Sequence, residues 1–109
     1  MNINLMALVD PTQDTGVPGG AELLEFSDAV ISNDRARLDK ARDAVAKTMS
    51  PATVSGAAAI AGNFSKNDRI ANGCGIPVDD MVMKITEDIR EDLGLNDYRS
   101  AINTFKHMN

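Results

Sequence analysis

Leu23, Leu24, Phe26, Val30 and Ile31 recur at helical spacing and predict a first helix from Ala21 to about Ser32 with one buried face. Asn33 is placed to cap a second helix, with Asp34 in the first turn, where the helix dipole favours negative charge. In that helix Leu38, Ala41, Val45 and Met49 form one stripe, while Arg35, Asp39, Arg42, Asp43 and Lys47 form a solvated face. Asp39–Arg42 and Asp43–Lys47 sit three and four apart, the spacing of weak helical ion pairs. Ser50-Pro51 starts a third helix: the serine oxygen accepts an orphan N–H, and proline presets φ where no N–H is needed. From Val54 to Phe64 almost every residue is small or apolar on all faces, the pattern of a helix surrounded by others. Residues 51–73 are therefore expected to be central and least exposed, with Gly73 and Gly75 ending the helix. Asp79 caps a fourth helix from about Asp80 to Leu93, whose stripe is Val82, Ile85, Ile89 and Leu93. Gly94 suits the left-handed residue that stops it, with Leu95 folding back on Ile89. Asn96 caps a last helix, with Tyr98, Ile102 and Phe105 along one side. No stretch alternates long enough to be a strand.

The pattern predicts an all-α fold, a compact bundle of about five helices around a central small-residue helix. Residues 21–109 form a single helical domain. Residues 1–20, broken by Asp10-Pro11, Gly16 and Pro18-Gly19-Gly20, read as an extended N-terminal arm. That arm is either a flexible tail or a segment packing Leu8 and Val9 on a neighbouring subunit.

Composition adds a reason to expect assembly. The chain has three Phe, one Tyr and no Trp, so its core is built from Ala, Leu, Ile, Val and Met. Small side chains each bury little area, at about 25 cal/mol per Å². A core this thin predicts a homo-oligomer. A net charge of −5 argues against nucleic acid as a partner, because phosphate binding needs a basic face. No run approaches the ~20 apolar residues of a membrane span, and MNINLMALVDP lacks a secretory signal pattern, so a cytoplasmic protein is expected.

No catalytic signature stands out. Cys74 is the single cysteine, which excludes an internal disulfide or a Cys-x-x-Cys pair, and it lies at the helix end that disfavours a thiolate. His107 is the single histidine, and no metal or other cofactor is expected. Glu87, Asp88, Glu91 and Asp92 cluster with Lys84 and Arg90 on what reads as an exposed face. The most interesting polar set is Asn63, Asn67, Asp68 and Arg69, where the apolar helix turns polar. Buried there, such groups must be hydrogen-bonded or cost about 1–3 kcal/mol each. Either Arg69 pairs with a carboxylate and Asn63 satisfies loop backbone, or the four form the polar floor of a pocket.

Ala59-Ile60-Ala61-Gly62-Asn63-Phe64, Asp68-Arg69-Ile70-Ala71 and Gly75-Ile76-Pro77-Val78-Asp79 together resemble the C-terminal part of alkylhydroperoxidase D-like proteins. That group is also called the carboxymuconolactone decarboxylase-like superfamily. Leu93-Gly94-Leu95-Asn96 with Ser100-Ala101-Ile102-Asn103-Thr104 is similar to the tail of its uncharacterised members, and Leu8-Val9-Asp10-Pro11 with Thr15-Gly16 to their entry arm. The resemblance implies an all-helical, oligomeric fold. Its peroxidase members use a glutamate ahead of Cys-x-x-Cys-x-x-x-His, a motif absent here, and Cys74 matches no position of it. The resemblance, with that motif missing, implies a non-catalytic oligomeric protein without thiol peroxidase activity. The alternative is a noncysteine enzyme acting on a small organic acid or lactone in a pocket around Arg69, with the ligand itself unknown. A redox sensor using Cys74 between subunits ranks third.

Overall fold

A computed structural model describes residues 1–108. Among them there are six α-helices, three short 3-10 turns and no strand: α1 Gly20–Ile31, α2 Arg35–Thr48, α3 Pro51–Cys74, α4 Asp80–Ile85, α5 Glu87–Asp92 and α6 Ile102–Phe105. The fold class is all-α, as the pattern predicts. Asn109, the last residue of the predicted domain, lies outside the described residues. No helix among them is long and apolar enough to cross a membrane. The chain divides into two compact units, one covering Met1–Phe64 and the other beginning at Ser65, with the division falling inside α3.

In the first unit, α1 and α2 pack against each other around Phe26, Ala29, Ala41 and Val45, with Leu23, Val30, Leu38, Met49, Val54 and Ala57 packed on that cluster. The α2 stripe read from the sequence lands wholly on this core. Helix starts follow the side chains that satisfy orphan N–H groups. Ser50 Oγ accepts from the Thr53 N–H at 3.1 Å, the expected start of α3. For α2 the cap is Asp34 rather than Asn33, because the Asp34 carboxylate accepts from the Arg37 N–H at 3.0 Å. Arg37 also grips Glu25 with two hydrogen bonds of 2.7 and 2.8 Å, tying α2 to α1. Asp39 pairs with Arg42 at 2.7 Å and with Arg35 at 3.1 Å. Asp43–Lys47 is not among the ion pairs of the described residues.

The Arg37–Glu25 pair makes stability depend on pH. Hydrogen bonding from Arg37 holds the Glu25 carboxyl below the ordinary carboxylate range. A depressed carboxylate contributes stability above its unfolded pKa, and that contribution disappears as pH falls through its folded pKa. Arg37→Met is expected to be slightly less stable than wild type at neutral pH, the effect being small because the pair is half exposed. The gap closes on acidification below the ordinary carboxylate range, measured by urea unfolding across a pH series. A gap that widened in acid would contradict this assignment.

Residues 1–20 are more ordered than the extended arm expected from their breakers. Leu5–Leu8 form a 3-10 turn that Asn4 caps, and Asn4 also donates from its amide to Gln13 Oε1 at 2.9 Å and the Asp14 carbonyl at 3.1 Å. The Asn4 N–H meets the Thr15 carbonyl at 2.9 Å. The Asp10 carboxylate accepts from the Thr12 hydroxyl and the Gln13 amide, which hold its pKa below the usual value. Polar side chains at the breakers thus satisfy the backbone that no helix or sheet takes up.

The expectation of a central, enclosed third helix is corrected. None of the residues of α3 is buried; Ile60 is 63% and Phe64 61% exposed. Only Val54 and Ala57 rest on the α1–α2 core. The α1–α2 pair covers one side of α3 in the first unit, and Ala58, Ala59, Ile60 and Phe64 are left exposed.

In the second unit the end of α3 is a Schellman motif. Gly75 is left-handed at φ 68°, its N–H bonds the Asn72 carbonyl at 3.1 Å, and the Ile76 N–H reaches back to Ala71 at 2.9 Å. Asp79 caps α4 as predicted, accepting from the Met81 N–H at 2.9 Å. The predicted fourth helix is then broken at Thr86 into α4 and α5. The Thr86 hydroxyl donates to the Val82 carbonyl at 2.7 Å, beside the Thr86 N–H that meets the same oxygen at 3.1 Å. Met83 and Leu93 are buried, while Val82 and Ile85 of the predicted stripe are exposed. Gly94 takes the expected left-handed conformation, φ 67°. Asn96 does not cap a helix. Its side chain accepts from Arg90, and Leu95–Asp97 and Arg99–Ala101 are 3-10 turns leading into the short α6.

Candidate functional site

The four polar residues singled out in α3 do not converge. Asn63 and Asn67 are exposed. Arg69 is exposed too, and its Nε donates to Ser65 Oγ one turn earlier at 3.2 Å, so it stays against its own helix. It forms no ion pair among the described residues. Asp68 is the one of the four at a hollow, at the rim of a solvent-open depression of about 450 Å³ in the second unit.

The hollow exists because α6 and the connector after α3 are stitched together. Thr104 is buried, and its hydroxyl oxygen accepts from the Val78 N–H at 2.9 Å. Asn103 donates from its amide to Asn72 Oδ1 at 2.9 Å. Ile76, Met83, Leu95 and Phe105 give the depression an apolar lining. Its other charged member is Arg90, half-buried, with every nitrogen engaged: Nη2 donates to the Met83 carbonyl at 2.7 Å, Nη1 to Asn96 Oδ1 at 2.6 Å and Nε to Thr86 Oγ1 at 3.1 Å. Arg90 is thus a clamp across the α4–α5 break and the turn after it. It sits in the acidic run that reads from sequence as an exposed face, and only its bonding to Thr86 and Asn96 reveals its role.

Around the hollow the arrangement offers the Asp68 carboxylate, a spent guanidinium, the amides of Asn72, Asn96 and Asn103, and the hydroxyls of Tyr98, Ser100 and Thr104. Cys74 is free and exposed and is not part of the lining. His107 lines a different depression, with Lys84 and Glu87. Among the described residues no group of three His, Cys, Asp or Glu is placed to hold a metal ion. Set against known protein families, curated proteins and solved structures, the chain matches none.

Proposed function

We propose that this chain is an oligomeric helical protein of the alkylhydroperoxidase D-like kind that acts by assembly, without thiol peroxidase activity. The observation that carries this reading is the number of large apolar side chains left exposed. Much of the exposed surface is apolar: Leu8 is 56%, Ile60 63%, Phe64 61%, Ile70 55% and Met81 70% exposed. Scattered apolar residues are normal on a surface, but so many on one small chain mark faces that a partner covers.

The enzyme alternative, a small organic acid or lactone bound around Arg69, requires Arg69 to face an enclosed pocket. Arg69 lies exposed on Ser65 instead, which leaves assembly the better supported reading. A cytoplasmic location belongs to the same proposal. Sedimentation equilibrium at micromolar concentration tests it, and the expected result is an oligomer. A stable monomer would overturn assembly. Peroxide turnover with a thiol donor is expected at background, and turnover abolished by Cys74→Ser would overturn the non-peroxidase assignment.

A further inference from the structure

The hollow of the second unit has the size and lining of a small-molecule site. At about 450 Å³ it lies in the range of pockets that hold small organic molecules, which are apolar with a few polar groups that fix orientation. Ile76, Met83, Leu95 and Phe105 supply the apolar surface. Thr104 holds the connector through the Val78 N–H, and Asn103 holds the end of α3 through Asn72. Those bonds set the walls before anything binds, which lowers the ordering cost of binding.

The two charges at the hollow differ in what they have left to offer. Arg90 is committed to the Met83 carbonyl, Asn96 Oδ1 and Thr86 Oγ1, so an anion drawn to it would compete with three bonds of the fold. Asp68 is exposed and forms no ion pair among the described residues. Arg69, its neighbour in sequence, is turned to Ser65. The carboxylate therefore keeps its charge for a ligand. Tyr98, 63% exposed, adds an aromatic ring to the same lining, and aromatic faces attract cations. From these observations we infer that the hollow binds a small organic cation, with a primary ammonium group at Asp68 and an apolar body on Ile76, Leu95 and Phe105. The rim is open to solvent, so the ammonium keeps part of its hydration and avoids the cost of burying a charge. The apolar body leaves water and supplies most of the affinity. The site does not depend on the assembly reading.

Amide NMR of the full chain tests it, with benzylamine, benzyl alcohol and benzoate as probes that share one ring and differ in charge. Benzylamine is expected to shift the amides of Ala71, Leu95 and Ala101, which line the hollow. Benzyl alcohol is expected to shift the same amides with about fivefold weaker affinity, the scale of an exposed ion pair, and benzoate to bind more weakly still. Asp68→Asn reduces benzylamine to the level of the alcohol and leaves the alcohol unchanged. Asp88→Asn removes an exposed carboxylate of α5 outside the lining and leaves benzylamine binding as in wild type. Both positions are exposed, so circular dichroism stays the same in each variant. The site is refuted if no probe shifts these amides, if amine and alcohol bind equally, if benzoate binds tightest, or if the two variants lose benzylamine equally. A monomer in sedimentation would overturn assembly and leave this site standing.

Discussion

Phe26→Ala is expected to destabilise the N-terminal unit by about 3–5 kcal/mol, the usual cost of deleting a buried phenylalanine ring. Phe26 is 2% exposed, and the cluster it belongs to holds only three other fully enclosed residues, Ala29, Ala41 and Val45. Two of those are alanines, which have no side chain to move into the vacated space. Met49 and Leu38 lie at the edge of the cluster but are only partly buried, so their inward movement would expose other surface. Collapse is therefore limited, and the cost sits toward the upper end. Against a total stability of about 5–15 kcal/mol for a domain, this removes much of the margin. Ile31→Ala is the control: the same helix, 63% exposed, expected to stay within about 0.5 kcal/mol of wild type. Urea unfolding followed by circular dichroism measures both, at one fixed protein concentration, because assembly raises apparent stability with concentration. Equal midpoints for Phe26→Ala and Ile31→Ala would show that Phe26 is not the centre of this core.

Where the sequence pattern succeeded, it was uninterrupted. Helix α2 runs fourteen residues without a competing side chain, so Leu38, Ala41, Val45 and Met49 keep phase and reach the core. Ser50, Asp79 and Gly94 act locally, each through its own geometry, and each does what its position implies. The pattern failed across α4 and α5 because the inward face is rotated from the apolar stripe. Met83, Thr86, Arg90 and Leu93 recur there at spacings of three and four and are buried or half-buried, so a threonine and an arginine hold places that hydrophobicity assigned to Val82 and Ile85. Backbone bonds from the Thr86 N–H to Val82 and from the Arg90 N–H to Thr86 keep that phase through residue 86. Asn96 has the identity of a helix cap, yet Arg90 takes its side-chain oxygen.

For α3 the difficulty is of another kind. An apolar pattern on all faces says that a helix is to be surrounded, and says nothing about which chain supplies the neighbours. The α1–α2 pair meets Val54 and Ala57 and leaves Ser55, Gly56, Ala59 and Gly62 open. The same ambiguity affects the polar set beyond them. Asn63, Asn67, Asp68 and Arg69 looked alike as polar residues in a buried helix, but burial was the premise that gave them a common meaning. On an exposed helix they separate by angle, and only Asp68 reaches the hollow.

Arg90→Met is expected to be the most damaging single change in the second unit, at about 2–4 kcal/mol. A methionine keeps the length and apolar body of the stem but removes three donors at once. Hydrogen bonds made by charged groups contribute about 1.5–3 kcal/mol each. The total stays below their sum because Asn96 is exposed and regains water when the guanidinium is lost. The Met83 carbonyl, on a residue 7% exposed, has less access to a replacement. Loss of charge is a competing explanation, since Glu87, Asp88, Glu91 and Asp92 surround Arg90 in sequence and its removal leaves their repulsion unrelieved. Arg90→Lys separates the two. Lysine restores the positive charge but offers one ammonium in place of a planar fork that meets three acceptors in different directions. If the clamp matters, Arg90→Lys recovers less than half of the loss; if charge matters, it recovers nearly all. Amide hydrogen exchange locates the effect. A broken clamp speeds exchange first at Thr86 and Arg90, whose N–H groups bond across the α4–α5 junction, and leaves Phe26 and Val45 in the first unit protected.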